Sequence, residues 1–314
     1  RSIVPLRDAG RCAVAEAIEL RGLTRWYGRR RGVLDLDVTV RAGEVFGFLG
    51  PNGAGKTTTI RCMLDLIRPQ SGSIRVLGLD PQAQPVAVQA RVGYLPGELN
   101  LDPNLRVRQV LRYLAALRGN RVNWGHVAEL SQRLQLDLEM PVKNLSKGNK
   151  QKVGIIQALM ARPELLLLDE PTSGLDPLMQ QEVYRLLHEA QDGGATVFFS
   201  SHVISEVEAL ASRVAIIRRG RIVETVEPKQ LMRMTSRRLR LRFTRPAEAG
   251  SLSEIPGVSH FAQPDPLEAT LLVEGAMDRL IVALAGLPIA DLQTERPSLE
   301  ELFLTYYRDA EEVA

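Results

Sequence analysis

The run Gly50-Pro51-Asn52-Gly53-Ala54-Gly55-Lys56-Thr57 sets glycines ahead of a lysine and a hydroxyl. This is the P-loop, or Walker A, spacing. Small residues let backbone N–H groups turn inward on phosphate oxygens, and the helix start that follows adds positive potential. Lys56 is expected to reach the β- and γ-phosphates of a nucleotide and the Thr57 hydroxyl to bind Mg²⁺, with Thr58 next in the cradle. A glycine-rich turn with a surface lysine is the bland alternative, and the bare pattern arises by chance in roughly one chain in a hundred. Its place between an apolar strand and a helix is what favours phosphate. Farther on, Asp169 and Glu170 follow Leu165 to Leu168. Both carboxylates fall at the C-terminal end of a buried strand, where open α/β sheets present their ligands. Asp169 suits Mg²⁺, usually through water, and Glu170 suits orienting or deprotonating an attacking water. His202 lies just past the strand Thr196 to Ser200 at the same edge, which favours a phosphate contact over packing. His126, His188 and His260 lack such neighbours and read as surface or packing residues.

Elements of two periods must position these groups. Ile18 to Leu20 and Val38 to Val40 alternate as half-buried strands do, while Val45 to Leu49 reads as a wholly buried one. A helix is expected from about Lys56 to Ile67, broken by Pro69, Ser71 and Gly72. Val107, Val110, Leu111, Leu114 and Leu117 form a helical stripe, and a further helix runs from about Lys150 to Ala161. After the four-leucine strand come a helix near Leu178 to Ala190 and the strand Thr196 to Ser200. Strands alternating with helices argue for a largely parallel α/β sheet.

The composition changes near Pro228. Beyond it Leu239, Leu241 and Phe243 alternate with Arg238, Arg240 and Arg242, a strand with one wet face. Thr270 to Val273 reads as another strand and Met277 to Leu284 as a helix. Ser298 with Glu301 makes a capping box ahead of Leu299, Leu302, Phe303 and Tyr306. This is a small α+β appendage of roughly 80 residues. The expected division is therefore an irregular extension over 1–14, an ATPase-sized domain over 15–228 and an accessory domain over 229–314. Residues 1–14 show no periodicity and no starting Met, so they are expected to be dispensable, with translation starting near Val14.

Bulk properties narrow the class. In 314 residues the formal net charge is only +3, and the longest basic run is Arg29-Arg30-Arg31, so no nucleic-acid footprint is indicated. Cys12 and Cys62 cannot build a disulfide framework and fit a reducing compartment, with Cys62 expected as a small buried hydrophobe. No stretch approaches the roughly 18 apolar residues of a membrane span. Any membrane role is expected to come through a partner.

Leu145-Ser146-Lys147-Gly148-Asn149 opens a helix shortly before the Asp-Glu strand. Alone, Ser-x-Gly is a common cap. Between a P-loop and that strand it resembles the signature of ABC transporter nucleotide-binding subunits, and the resemblance covers about residues 18 to 228. It implies a P-loop NTPase fold of ABC type with a helical subdomain, ATP and Mg²⁺ as ligands, and ATP hydrolysis coupled to transport. It also implies roles residue by residue. Tyr27 matches the aromatic that stacks on adenine, with Trp26 as a competitor for that role. Ser146 and Gly148 match residues that contact the γ-phosphate held by the opposite subunit, and Asp176 the loop that crosses between subunits. Glu170 matches the catalytic carboxylate and His202 the switch histidine. Two copies would then meet head to tail across two ATP molecules.

Two departures stand out. After Gly93-Tyr94-Leu95-Pro96 the family usually has Gln, where this chain has Gly97 followed by Glu98. Either Glu98 takes over the Mg²⁺ contact, helped by an unusual backbone conformation at Gly97, or it is a solvent-facing residue. Lys147 and Asn149 replace the commoner Gly and Gln, and Lys147 either adds charge near the γ-phosphate or points to solvent. Gly43 to Leu49, with Pro297 to Phe303, is similar to the ATPases of drug, antibiotic and polyketide exporters of the ABC-2 type, which pair with separate six-helix permeases. The implied location is the cytoplasmic face of the membrane, and the segment from Gly93 to about Arg106 would receive the permease. Two rivals remain: a soluble ABC ATPase acting on ribosomes or DNA, which usually carries paired cassettes or coiled coils, and an ATP sensor without turnover, against which Glu170 and His202 argue.

Overall fold

Strands whose residues are apolar on both faces belong between two covering layers. In the computed structural model β3 (Val45–Leu49), β6 (Leu165–Asp169) and β7 (Thr196–Ser201) are buried at every position. With β5 (Val92–Leu95), β8 (Arg213–Arg218) and β9 (Arg221–Val226) they form one sheet in the order β5-β6-β7-β3-β8-β9. The pairings from β5 through β8 are all parallel. Phe46 and Phe198 stack across β3 and β7, their ring centres 5.8 Å apart. Burying each such ring contributes about 1.5–3 kcal/mol.

Register decides where the chemistry lies. Leu95 pairs with Leu168, Asp169 with Ser200, and Ser201 with Leu49. The chain segments leaving β5, β6, β7 and β3 therefore emerge at one edge of the sheet, and they carry Gly97-Glu98, Glu170, His202 and the P-loop respectively. The structure describes residues 15–28, 30–119, 122–228, 237–273 and 277–295. Cys12 and the remainder of 1–14, Arg29, and the capping box at Ser298 with its stripe from Leu299 to Tyr306 lie outside the described residues.

β1 (Glu16–Tyr27) and β2 (Arg30–Arg41) do not join the parallel sheet. They form an antiparallel sheet, β2-β1-β4, with β4 (Ser71–Val76). Ile18, Leu20, Val38 and Val40 are buried on its covered face, as an antiparallel layer with one covered face requires. Helix α1 (Lys56–Met63) stops earlier than the expected Ile67. Asp65 adopts a left-handed conformation (φ 53°), and its N–H and that of Leu66 return to the carbonyls of Cys62 and Arg61. That double return is a Schellman stop, with aspartate in the usual glycine position. Cys62, on this helix, is buried, and its thiol is pushed up to about 11 chiefly by that burial.

The short helix α2 (Pro85–Arg91) leads into β5. α3 (Val107–Leu117), α4 (Trp124–Arg133) and α5 (Lys147–Leu159) build the helical part of this unit. α5 begins at Lys147 rather than Lys150 because Ser146 caps it. Arg133, at the end of α4, reaches α6 (Pro177–Asp192) with 2.6 Å contacts to both Glu182 and Glu189. No helix among the described residues is long and apolar enough to cross a membrane.

The chain divides into two compact units, Arg1–Thr225 and Val226–Ala314. In the second, β10 (Arg237–Phe243), β11 (Val258–Asp265), β12 (Glu268–Val273) and β13 (Ile289–Glu295) form an antiparallel sheet ordered β11-β12-β10-β13. Leu239, Leu241 and Phe243 are buried with Leu280 and Leu284 of the helix Asp278–Leu284, while Arg240 and Arg242 are exposed.

Candidate functional site

The P-loop joins β3 to α1 and walls a cleft of about 650 Å³. Gly55 caps α1 at φ 115°, and a Cβ there would stand 2.6 Å from Val33 and 2.8 Å from the Gly32 carbonyl, so only glycine fits. No acidic side chain occupies the first turn of α1, which leaves its positive end uncompensated. Lys56 is buried with its ammonium on the Gly50 carbonyl at 2.6 Å and 3.1 Å from Glu170 Oε1. Both partners are oxygens, the acceptor class that an ammonium of this kind takes from phosphate.

Asp169 is almost wholly buried and accepts two hydroxyl hydrogen bonds. Thr57 Oγ1 donates to Oδ2 at 2.7 Å and Ser200 Oγ to Oδ1 at 2.5 Å. Glu170 has a left-handed backbone (φ 53°), a costly state for a residue with a Cβ. Its N–H is held by the Ser200 carbonyl, and Gln151 Nε2 donates to its carbonyl at 2.9 Å and to that of Pro171 at 3.0 Å. This kink turns the side chain toward two partners. His202 Nδ1 lies 2.7 Å from Oε2; a carboxylate only accepts, so the ring nitrogen donates. Oε1 is buried, has no aligned donor among the described residues and meets the Lys56 ammonium alone.

The Ser146 hydroxyl caps α5 by accepting from the Asn149 N–H at 3.2 Å. Gly148 approaches the neighbouring loop so closely that an added Cβ would stand 2.6 Å from the Gly174 carbonyl. Asp176 closes that loop by capping α6, accepting from Leu178 and Met179. The signature-like segment thus packs directly on the loop that ends at Asp176. The ABC transporter family profile matches residues 33–173. Over 301 residues the chain is 34% identical to the bacitracin transport ATP-binding protein BcrA of Bacillus licheniformis, spanning 91% of this chain and 96% of that one. The chain belongs to the ABC transporter family. It is 32% identical to the daunorubicin/doxorubicin resistance ATP-binding protein DrrA of Streptomyces peucetius, over 91% of this chain and 97% of that one. Among solved structures, an ATP-binding subunit of an ABC transporter superposes with a TM-score of 0.63 at 28% identity, covering 69% of this chain and 92% of that one. This ABC ATPase binds nucleotide and hydrolyses ATP.

The structure brings some of the expected residues together and leaves others apart. Pro51, Asn52, Gly53, Gly55, Lys56, Thr57, Thr58, Glu98, Asp169 and Glu170 wall the cleft of the ABC ATPase. Gly50 and Ala54 are buried and do not; Gly50 offers its carbonyl to Lys56, and the Ala54 N–H bonds to the Pro51 carbonyl. Of the two aromatics, Tyr27 lines the cleft, its ring beneath the Arg25 guanidinium at 5.2 Å. Trp26 does not line it; its backbone N–H and carbonyl both bond to the Gln70 side chain. Ser146, Gly148 and Asp176 are absent from the cleft, and His202 touches it only through Glu170.

Gly97 differs from expectation. It is not among the glycines with positive φ. What it supplies is room: a Cβ there would stand 3.0 Å from Asp169 Oδ2, the oxygen that Thr57 already uses. Gly32 and Arg61 also wall the cleft and were not read from the sequence. Arg61 carries a local signal, one helical turn beyond Thr57. Gly32 carries none, because the β1–β2 pairing alone delivers it.

Proposed function

We propose that this ABC ATPase works as a pair of copies closing head to tail on two ATP molecules, and that the cycle drives export of an antibiotic- or drug-like compound through a separate membrane permease. The carrying observation is the split of the machinery. One copy's cleft holds the P-loop, Asp169 and Glu170, but Ser146, Gly148 and Asp176 lie outside it. A second copy would supply them to complete each site. The relatives named for bacitracin transport and daunorubicin resistance support the exporter class, and no helix among the described residues is long and apolar enough to cross a membrane.

Within the site, Lys56 and the P-loop amides would hold the phosphates, Glu170 would take the proton of the attacking water, and His202 would hold Glu170 in place. Tyr27 would stack on adenine. Thr57 and Asp169 form a hard-oxygen pair that fits Mg²⁺, which when bound would neutralise phosphate charge. No cluster of three His, Cys, Asp or Glu side chains forms a metal site among the described residues, so phosphate oxygens and water would have to complete the shell. Hydrolysis measured against protein concentration tests the pairing. The rate is expected to rise as the square of concentration when dilute, and to rise again when the permease is reconstituted with the chain. A rate per chain that does not change with concentration would overturn the pair.

Glu98 is the candidate to replace the missing glutamine, because it lines the cleft beside Gly97 and Asp169. A carboxylate there would add negative charge that favours the metal-loaded state. Glu98→Ala is expected to raise the Mg²⁺ needed for half-maximal activity about tenfold, as loss of a metal-orienting group does, and to weaken stimulation by the permease. If both match the wild type in permease-containing membranes, Glu98 has no such part.

A further inference from the structure

A buried carboxylate outside the cleft, Glu206, bonds to segments that carry Glu170 and His202. Glu206 sits in the first turn of α7 (Ile204–Leu210), 6% exposed, on a helix whose Val207 and Leu210 are also buried. Its two oxygens take hydroxyl donors from two different segments. Oε1 accepts from Thr172 Oγ1, and Oε2 accepts from Ser201 Oγ at 2.5 Å. Ser201 in turn accepts from the Val203 N–H at 2.9 Å. Thr172 and Ser201 are themselves buried. Among the described residues no cation pairs with Glu206.

A carboxylate is costly to bury without a counter-charge, and a leucine or methionine would fill the same volume without that cost. Its two acceptors, however, join what an apolar side chain cannot. Thr172 follows Glu170 by two positions, and Ser201 immediately precedes His202. The bridge therefore ties the segment leaving β6 to the end of β7, within two residues of the 2.7 Å contact between His202 and Glu170. Glu170 needs such support, since its backbone is held in a left-handed state. We propose that Glu206 is the positioning residue that keeps Glu170 and His202 in register, by clamping Thr172 to Ser201. This rests on Glu170 and His202 acting as proposed. It predicts that Glu206 governs the chemical step and not nucleotide affinity.

The test compares Glu206→Leu, Glu206→Gln and Thr172→Val in the full chain, reading kcat, KM for ATP, ATP affinity and melting temperature. Loss of alignment of about 1 Å costs on the order of 100-fold in rate. Glu206→Leu is expected to lower kcat by that order with KM and affinity within about twofold of wild type. Glu206→Gln, which keeps an acceptor and offers an amide to the second hydroxyl, is expected to restore most of the rate. Thr172→Val removes one end of the clamp without touching the carboxylate, and it should reproduce the kcat loss even if Glu206→Leu fails to fold. In combination the two losses should be far from additive. The inference is overturned if Thr172→Val leaves kcat unchanged, or if KM rises and the melting temperature falls in step with the loss of rate. Glu170→Gln run alongside separates the two readings. If it stays active the assignment of Glu170 itself has failed, whereas an inactive Glu170→Gln beside fully active clamp variants sinks only the role of Glu206.

Discussion

Replacing Glu170 by glutamine is expected to cut ATP turnover by about 10²–10⁴-fold, the usual range for a lost general base, while nucleotide binding survives. The amide keeps the shape of the side chain but cannot take up a proton. Its oxygen can still accept from His202 Nδ1, which holds Glu170 at 2.7 Å, so the local architecture should persist. The substitution also frees Lys56, whose ammonium lies 3.1 Å from Glu170 Oε1. An arriving phosphate then has no carboxylate to displace. Two effects therefore run in opposite directions, the chemistry losing its base and binding losing a competitor. Lys56, left without its carboxylate partner, favours the phosphate-bound state, while turnover falls with the base. ATP affinity is expected within a few-fold of the wild type or tighter, and complexes of two chains should accumulate with MgATP. Phosphate release and light scattering on one purified sample read both quantities. Turnover at the wild-type rate would remove Glu170 from the role.

Lys56→Ala is expected to fail one step earlier. The ammonium is 6% exposed and its contacts are fixed, so it meets phosphate without having to be ordered first. Truncating one member of a buried, hydrogen-bonded charge pair costs about 2–5 kcal/mol, or roughly 30- to 4,000-fold in affinity. The same change leaves the buried Glu170 Oε1 without a partner among the described residues. Some folding stability should therefore go with the affinity. Titration with a fluorescent ATP analogue, beside thermal unfolding of the free protein, separates the two losses. An ATP affinity equal to wild type would show that Lys56 does not carry the phosphate contact.

Much of this site is legible along the chain because its parts are local. A P-loop is a strand, a turn and a helix start in sequence, and Gly53 and Gly55 answer to the positive φ of that turn, although the close approach of Val33 and Gly32 to Gly55 comes from β2. The four-leucine run before Asp169 identifies a doubly covered strand by composition alone, and the same holds for the strand leading to His202. Even Ser146 as a helix cap is a matter of three neighbouring residues, although the cap moved the start of α5 ahead of the expected Lys150. Where sequence reading misjudged an end, the cause was also local but subtle. Asp65 takes the left-handed stop position that glycine usually signals, so α1 closes at Met63.

What only the tertiary structure decided depends on which strands pair and in what register. Apolar periodicity marks β1 and β2 as strands but is silent on their partners, so their membership in a separate antiparallel sheet could not be read. That pairing delivers Tyr27, rather than Trp26, to the cleft, and Gly32 beside it. Sequence patterns likewise cannot tell that position 97 abuts Asp169, because the approach spans two strands that are neighbours only once Leu95 is paired with Leu168. The Thr172–Glu206–Ser201 bridge belongs to the same class. Hydroxyls and carboxylates have no periodic signature, and their contacts are set by the last few ångströms of packing. The residues able to do the chemistry were thus present in the sequence as types and spacings. Their alignment is a property of the parallel register, which brings distant strand ends to one edge.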